Sequence, residues 1–378
     1  MSTLNARPCR RGHGLVEALV GSMAFAATTL AAFAISTAAG SERGDSVTFD
    51  AGGTVHIPPM TIPLSDFLTP EAKAQSFKDE EGVKKWVAMM SEAHPPDIVE
   101  QRRRFEERYG PALERVKVLY STRGRPRIMN GVYTEVFVPS EGIAPKNRNR
   151  ILINLHGGGF MWGARFMGAL ESIPVASLGH IKVVAVDYRQ GPEYKFPAAV
   201  QDVVAVYRVL LKTYPAQNIG IYGCSAGGLL TAQVVPWIEK EHLPRPGAIG
   251  IFCSGADGAA RGDSGFLGLP LSGTAPPPAD PDGYFSRASL DDPWVSPVRS
   301  SAMLSQFPPT LIVTSSRDFL MSGALYTHSQ LTKLGVQAEL HVWEGLGHGF
   351  FTTDPDIPET KEVWHVVTKF FDRHLGCS

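Results

Sequence analysis

The sequence predicts an α/β fold, a mainly parallel sheet of eight strands with helices on both faces, opened by an antiparallel pair. Three observations predict it. Short apolar runs recur along the chain at Ile151 to Leu155, Lys182 to Val186, Ile219 to Tyr222, Ala248 to Phe252, Thr310 to Thr314 and Ala338 to Trp343, with helical stretches between them. Such runs suit strands buried on both faces, and the helices supply the crossovers that parallel strands require. At Tyr222-Gly223-Cys224-Ser225-Ala226-Gly227-Gly228 an apolar strand passes through a tight turn into a helix, with Ser225 at the corner. Finally, His156-Gly157-Gly158-Gly159-Phe160 follows directly on the strand ending at Leu155, where open parallel sheets place ligands.

Taken in order, the chain opens with Arg7, Arg10 and Arg11 ahead of an uncharged run from Ala18 to Ala39 that ends in small residues. This is the form of an export signal over residues 1–40, cleaved near Ala39 and leading to a periplasmic or secreted protein. The run is also long enough to span a bilayer, so a retained anchor holding the chain at a membrane is the alternative. Residues 41–114 are expected to form a linker, rich in Gly, Pro and Thr, followed by N-terminal helices from Pro70 to about Tyr109 that carry Trp86, Met89 and Met90. Pro95-Pro96 would divide them. They either pack on the sheet or form part of a lid. Residues 115–378 are expected to be the sheet domain, entered by strands at Arg115 to Tyr120 and Gly131 to Val138 with a basic turn at Arg123 to Arg127 between them. A Gly-, Pro- and Ser-rich segment at about 255–297, with Phe266, Leu267, Tyr284 and Phe285, is too long for an ordinary connection and is read as the second part of a cap.

Composition narrows the function classes. With 378 residues, 43% of them hydrophobic and 19% charged, the chain can bury a large core. The net charge of −1 and the absence of basic blocks other than Arg102-Arg103-Arg104 argue against nucleic acid as a partner. That triplet, with Glu100, Glu106 and Glu107 close by, reads as an ion-paired solvent face. The four cysteines, at 9, 224, 253 and 377, have no paired spacing and the histidines are scattered, so neither a disulfide framework, a metal nor an organic cofactor is expected.

The chemistry-bearing residues fall at strand ends. Glycines at 223 and 227 bracket Ser225 as a turn that lifts a serine hydroxyl above the sheet requires. The helix that follows aims its first N–H groups at the same place. Gly157, Gly158 and Gly159 let backbone N–H groups approach a ligand without side chains, and with the N–H of Ala226 they form a candidate oxyanion site. Asp318 lies just past one strand, and His348, in Gly345-Leu346-Gly347-His348-Gly349-Phe350, just past the next. The order Ser225, Asp318, His348 suits a nucleophile, an orienting acid and a base on such a sheet. His156 reads as a loop-positioning residue, and Phe160 and Trp162 as walls of an apolar pocket.

These motifs, together with Asp187-Tyr188-Arg189-Gln190-Gly191-Pro192-Glu193, Phe196-Pro197-Ala198-Ala199 and Pro308-Pro309-Thr310, resemble the hormone-sensitive-lipase-like branch of the α/β-hydrolase esterases over residues 115 to 375. The resemblance implies a helical cap, a small-molecule ester substrate, and oxyanion donors at Gly158, Gly159 and Ala226. Acyl transfer to an alcohol on the same three side chains, or a ligand-binding relative without turnover, are the alternatives it leaves. The chain departs from the family in two places. Cys224 stands before the serine where Asp or Thr is usual, and Phe319-Leu320-Met321-Ser322 replaces the usual Asp-Pro and acidic residues after Asp318.

Overall fold

The computed structural model describes residues 46–76, 84, 88, 97–259, 261–271 and 282–376. The expected export segment, Trp86, Met89, Met90, Pro95-Pro96, Cys9 and Cys377 lie outside the described residues. The chain divides into two units, one ending at Pro63 and one spanning Leu64–Ser378. In the first, strands β1 (Thr48–Phe49) and β2 (Val55–His56) pair antiparallel around a turn closed by Asp50, whose carboxylate accepts the N–H groups of Gly52 and Thr54.

In the second unit a short helical stretch, α1 (residues 70–76), and the long helix α2 (Ile98–Leu119) precede the sheet strands β3 (Thr122–Met129), β4 (Val132–Pro139) and β5 (Ile151–Leu155). There follow α3 (Phe166–Gly179), β6 (Lys182–Val186), α4 (Ala198–Leu210), β7 (Ile219–Cys224), α5 (Ala226–Lys240), β8 (Ala248–Phe252) and α6 (Ser264–Leu271). The chain closes with α7 (Ser301–Leu304), β9 (Thr310–Arg317), α8 (Met321–Lys333), β10 (Ala338–Gly347), α9 (Phe350–Thr353) and α10 (Pro358–His374). The eight strands lie in the order β10-β9-β8-β7-β5-β6-β4-β3. They are parallel from β10 to β6, and β4 and β3 are antiparallel.

The apolar runs supply both faces by simple alternation. Ile151, Ile153 and Leu155 enter one core with Ile219, Ile221, Ile249, Ile251 and helices α4 and α5, while Leu152 enters the other with Val183, Tyr222, Phe252, Val313 and helices α2, α3 and α10. Because β5 sits beside β7 with Leu155 opposite Gly223, the loop after β5 and the corner after β7 emerge side by side.

The expected entry to the sheet needs correction. Arg115 to Tyr120 is not a strand, since α2 runs to Leu119 and buries Phe105, Ala112, Leu113 and Val116 on one face. Gly110-Pro111 looks like a helix stop, yet the burial of those side chains carries the helix through it. The basic segment Arg123 to Arg127 is not a turn but the middle of β3. This outermost strand is exposed along most of its length, so its sequence shows no apolar alternation, and charges and Pro126 are tolerated at a free edge. Residues 64–114 belong to the same unit as the sheet, so the expected boundary at 114 falls inside it. No described helix is long and apolar enough to cross a membrane.

Candidate active site

Ser225 caps α5 with φ 57° and ψ −119°, a conformation that costs a side-chain-bearing residue of order 1–3 kcal/mol. Its surroundings impose that conformation. A side chain at Gly223 would place Cβ 2.1 Å from the Leu155 carbonyl oxygen, and one at Gly227 would place it 1.7 Å from the same atom. The Ser225 N–H donates to the Phe252 carbonyl at 2.8 Å, which pins the corner to β8.

His348 and Asp318 arrive from the ends of β10 and β9. The His348 Nδ1–H donates to Asp318 Oδ1 at 2.7 Å, and the Ser225 hydroxyl donates to His348 Nε2 at 2.8 Å. The carboxylate only accepts, which places the histidine proton on Nδ1 and leaves Nε2 to receive the serine proton. Asp318 has no solvent exposure. Burial pushes its carboxyl up, but the charge and hydrogen bond of His348, the Leu320 N–H and the Thr314 hydroxyl outweigh that and hold it below the ordinary value. The departure after Asp318 is thus accommodated: Leu320 contributes its N–H, and the Phe319 ring packs on His348 with centroids 4.4 Å apart. Cys224 and Cys253 are buried free thiols that contact each other. That contact and burial hold the Cys224 thiol well above its ordinary value, so it sits under the corner as a neutral group. Cys253 Sγ lies with Asp318 and His348 within 4.8 Å, but the acid and base are bonded to each other and Sγ accepts the Gly349 N–H at 3.3 Å.

Among the described residues, the N–H groups of Gly158, Gly159 and Ala226 have no acceptor; Ala226 follows Ser225, and a Cβ at Gly157, just ahead of Gly158, would fall 3.5 Å from the Ser225 Cβ, which brings this loop to the corner. Gly158, at φ 117°, admits no side chain, because its Cβ would lie 2.2 Å from the Trp162 carbonyl oxygen. Gly157 differs from expectation. Its N–H donates to Glu171 Oε1 at 2.8 Å and leaves the set of free donors. His156 holds the loop, as read from the sequence, with Nδ1 bonded to the Gly157 carbonyl and its ring stacked on Tyr188 at 4.3 Å; burial lowers its pKa and keeps it neutral. Phe160 also needs correction, since it is 3% exposed and stacks on Tyr284 with centroids 4.8 Å apart and interplanar angle 5°. It anchors the loop in the core instead of walling an open pocket. Trp162 is partly exposed and packs against Phe105 of α2. A cavity of about 530 Å³ between α2, α3 and the β3–β4 pair is lined by none of Ser225, Asp318 and His348.

Two residues that sequence reasoning missed hold this loop. Arg103 and Arg104 pair with Glu100 as expected, but Arg102 turns away from its own helix. It donates to the carbonyls of Met161 (2.9 Å) and Gly191 (2.8 Å) and clamps both oxygens of Glu193. The Asp187 to Glu193 string meets the loop from below, through Gln190 Nε2 to the Trp162 carbonyl and the Gly191 N–H to the Phe160 carbonyl. Glu171 is the second. It is the one charged residue in the largely apolar run Phe166-Met167-Gly168-Ala169-Leu170-Glu171-Ser172-Ile173, which is the signal that could have marked it. Burial pushes its carboxyl up to about 8, against the hydrogen bonds from the Asn154 amide and the Gly157 N–H. A carboxyl raised from 4.5 stays protonated in the folded chain while it ionises in the unfolded one, so stability is expected to fall as pH rises from about 4.5 to about 8, by up to roughly 1.4 kcal/mol per pH unit. Melting temperature against pH should therefore slope more steeply downward in the wild type than in Glu171→Gln; equal slopes would remove Glu171 as the source.

A family model described as the α/β hydrolase fold matches residues 152–352. The chain belongs to the α/β-hydrolase family. An acetyl-hydrolase of Streptomyces hygroscopicus is 27% identical over 270 residues, covering 70% of this chain and 89% of that one. The crystal structure of an esterase named E25 matches with a TM-score of 0.72 at 28% identity, over 85% of this α/β-hydrolase and 98% of its own chain. An esterase from the bacterial hormone-sensitive lipase family shares the fold, with a TM-score of 0.65 at 24% identity over 79% of this chain and 99% of that one. The resemblance read from the sequence motifs is borne out.

Proposed function

We propose that this α/β-hydrolase is a serine carboxylesterase that cleaves short to medium acyl esters of small molecules through an acyl-serine intermediate. The observation that carries the reading is the hydrogen-bonded line Asp318, His348, Ser225, with three acceptor-free N–H groups beside its serine end. Ser225 Oγ attacks the ester carbonyl as its proton passes to His348 Nε2. Gly158, Gly159 and Ala226 donate to the oxyanion that forms. His348 returns the proton to the departing alkoxide, then takes one from the water that releases the acid. Asp318 keeps the imidazole oriented and offsets its positive charge. The esterase and acetyl-hydrolase relatives support ester hydrolysis.

Chain-length preference rests on the apolar loop Phe160-Met161-Trp162 that continues from the oxyanion glycines, which Arg102 and Phe105 of α2 clamp in place. Each methylene buried in a finite apolar pocket adds about 0.8 kcal/mol until its wall is met, where overpacking reverses the gain. A p-nitrophenyl ester series should show kcat/KM rising from acetyl to butyryl or hexanoyl and falling at palmitoyl. A monotonic rise through palmitoyl would contradict the capped pocket, and the absence of hydrolysis across the series would sink the esterase reading. Export is proposed on the N-terminal residues alone. Sequencing the mature N-terminus decides it: a start near Gly40 supports export, and an intact N-terminus in the cytosol overturns it.

A further inference from the structure

The two parts of the oxyanion site come from separate segments. Gly158 and Gly159 follow β5, Ala226 follows β7, and their spacing must match one oxygen atom. Up to Leu155 and Gly223 the β5–β7 ladder holds the segments together. Beyond that pair the ladder ends. A carboxyl takes over there. Glu171 of α3, 1% exposed, accepts the Gly157 N–H on Oε1 at 2.8 Å and Asn154 Nδ2 of β5 on Oε2 at 2.9 Å. Gly157 immediately precedes Gly158, and Cys224 precedes Ser225 and Ala226. The segments are in close approach, with a Cβ at Gly157 falling 3.1 Å from the Cys224 carbonyl oxygen. The Tyr222 hydroxyl donates to the Glu171 carbonyl at 3.2 Å, so the helix itself is tied to β7. An apolar side chain would fill this site without the cost of burying a carboxyl, which leaves the Gly157 N–H and the Asn154 amide as the reason for an acid.

We propose that Glu171 is a positioning residue that sets the distance between the two halves of the oxyanion site, by holding Gly157 on its carboxyl while the Tyr222 hydroxyl ties its backbone carbonyl to β7. The proposal rests on the esterase reading of the site and deepens it. Glu171 touches neither Ser225 Oγ nor His348, and its effect passes through the donors it places. Their misplacement weakens the transition state more than substrate binding.

The test compares wild type with Glu171→Met, which is apolar and unbranched, and Glu171→Gln, which keeps one acceptor oxygen. Three quantities are read: kcat and KM on p-nitrophenyl butyrate, the Ki of butylboronic acid, whose serine adduct places an oxygen in the oxyanion site, and the rate at which a fluorophosphonate labels Ser225. Glu171→Met should lower kcat tenfold or more with KM within threefold, raise the boronate Ki in step and slow labelling similarly. Glu171→Gln should recover at least a third of wild-type kcat. A Glu171→Met protein with kcat and boronate Ki within twofold of wild type, or with a change in KM alone, overturns the proposal. If that variant does not fold, Glu171→Asp, which draws the carboxyl back from Gly157, is judged by the same kcat and boronate criteria, and wild-type values there overturn it. Wild-type protein that labels with fluorophosphonate yet hydrolyses no ester would sink the esterase reading, while the labelling rates would still decide the role of Glu171.

Discussion

Ser225→Ala and His348→Ala are each expected to lower kcat on p-nitrophenyl butyrate by about a thousandfold or more, roughly 4 kcal/mol of transition-state stabilisation. The reason is geometric. The serine hydroxyl reaches a base only through the 2.8 Å bond to His348 Nε2, and without either partner the remaining rate comes from the N–H donors and binding. The double variant should be hardly slower than either single one, because the residues act as a unit. Neither side chain carries the packing of the sheet, so melting temperatures should stay within a few degrees of wild type. Retention of more than about a tenth of wild-type kcat by either single variant, in protein that melts normally, would remove that residue from the mechanism.

Asp318→Asn is expected to cost about a thousandfold in kcat, close to the loss from the other two. Oδ1 accepts both the His348 Nδ1–H and the Leu320 N–H, and Oδ2 accepts the Thr314 hydroxyl. An amide turned with its NH₂ toward His348 would oppose two donors and drive the histidine proton to Nε2, where it blocks the serine. Turned the other way, its NH₂ meets Thr314, whose hydroxyl can rotate to accept, but the negative charge that steadies the imidazolium is gone. Either way turnover falls, and KM should change little. The same substitution should alter acid stability. A carboxyl held below its ordinary value adds stability above about 3.8 that is lost as pH falls through its lowered folded value. Asp318→Asn should lack that loss, which acid titrations followed by circular dichroism would read. Near-normal kcat in the variant would mean that a different acid orients His348.

Much of this was legible in the sequence because it depends on neighbours along the chain. Apolar runs of strand length separated by helical stretches determine a parallel sheet whatever their order in space, and the tight corner at Ser225 needs small residues two positions either side. Strand ends carry the loops, so Gly158, Gly159, Asp318 and His348 could be placed at one sheet edge before any contact was known. The parts that were misread depend on distant partners. β3 looked like a turn because an exposed edge strand needs no apolar period, and α2 outran its Gly110-Pro111 stop because burial against the sheet outweighed the local signal.

Tertiary structure alone decided what the loop residues do. The N–H of Gly157 looks like its two neighbours in sequence, and only the approach of Glu171 from α3 takes it out of use. Phe160 reads as a pocket wall until Tyr284, more than a hundred residues later, stacks on it. Arg102 belongs by sequence to an ion-paired helix face, yet Met161, Gly191 and Glu193 claim it. By itself the sequence determined the fold, the nucleophile corner and the candidate acid and base, since strand, turn and helix periodicities are set by residues a few positions apart. Which N–H groups stay free and which charges are buried depended on segments brought together only by folding, because a hydrogen bond is satisfied by whatever group lies within about 3 Å, however far away it is along the chain.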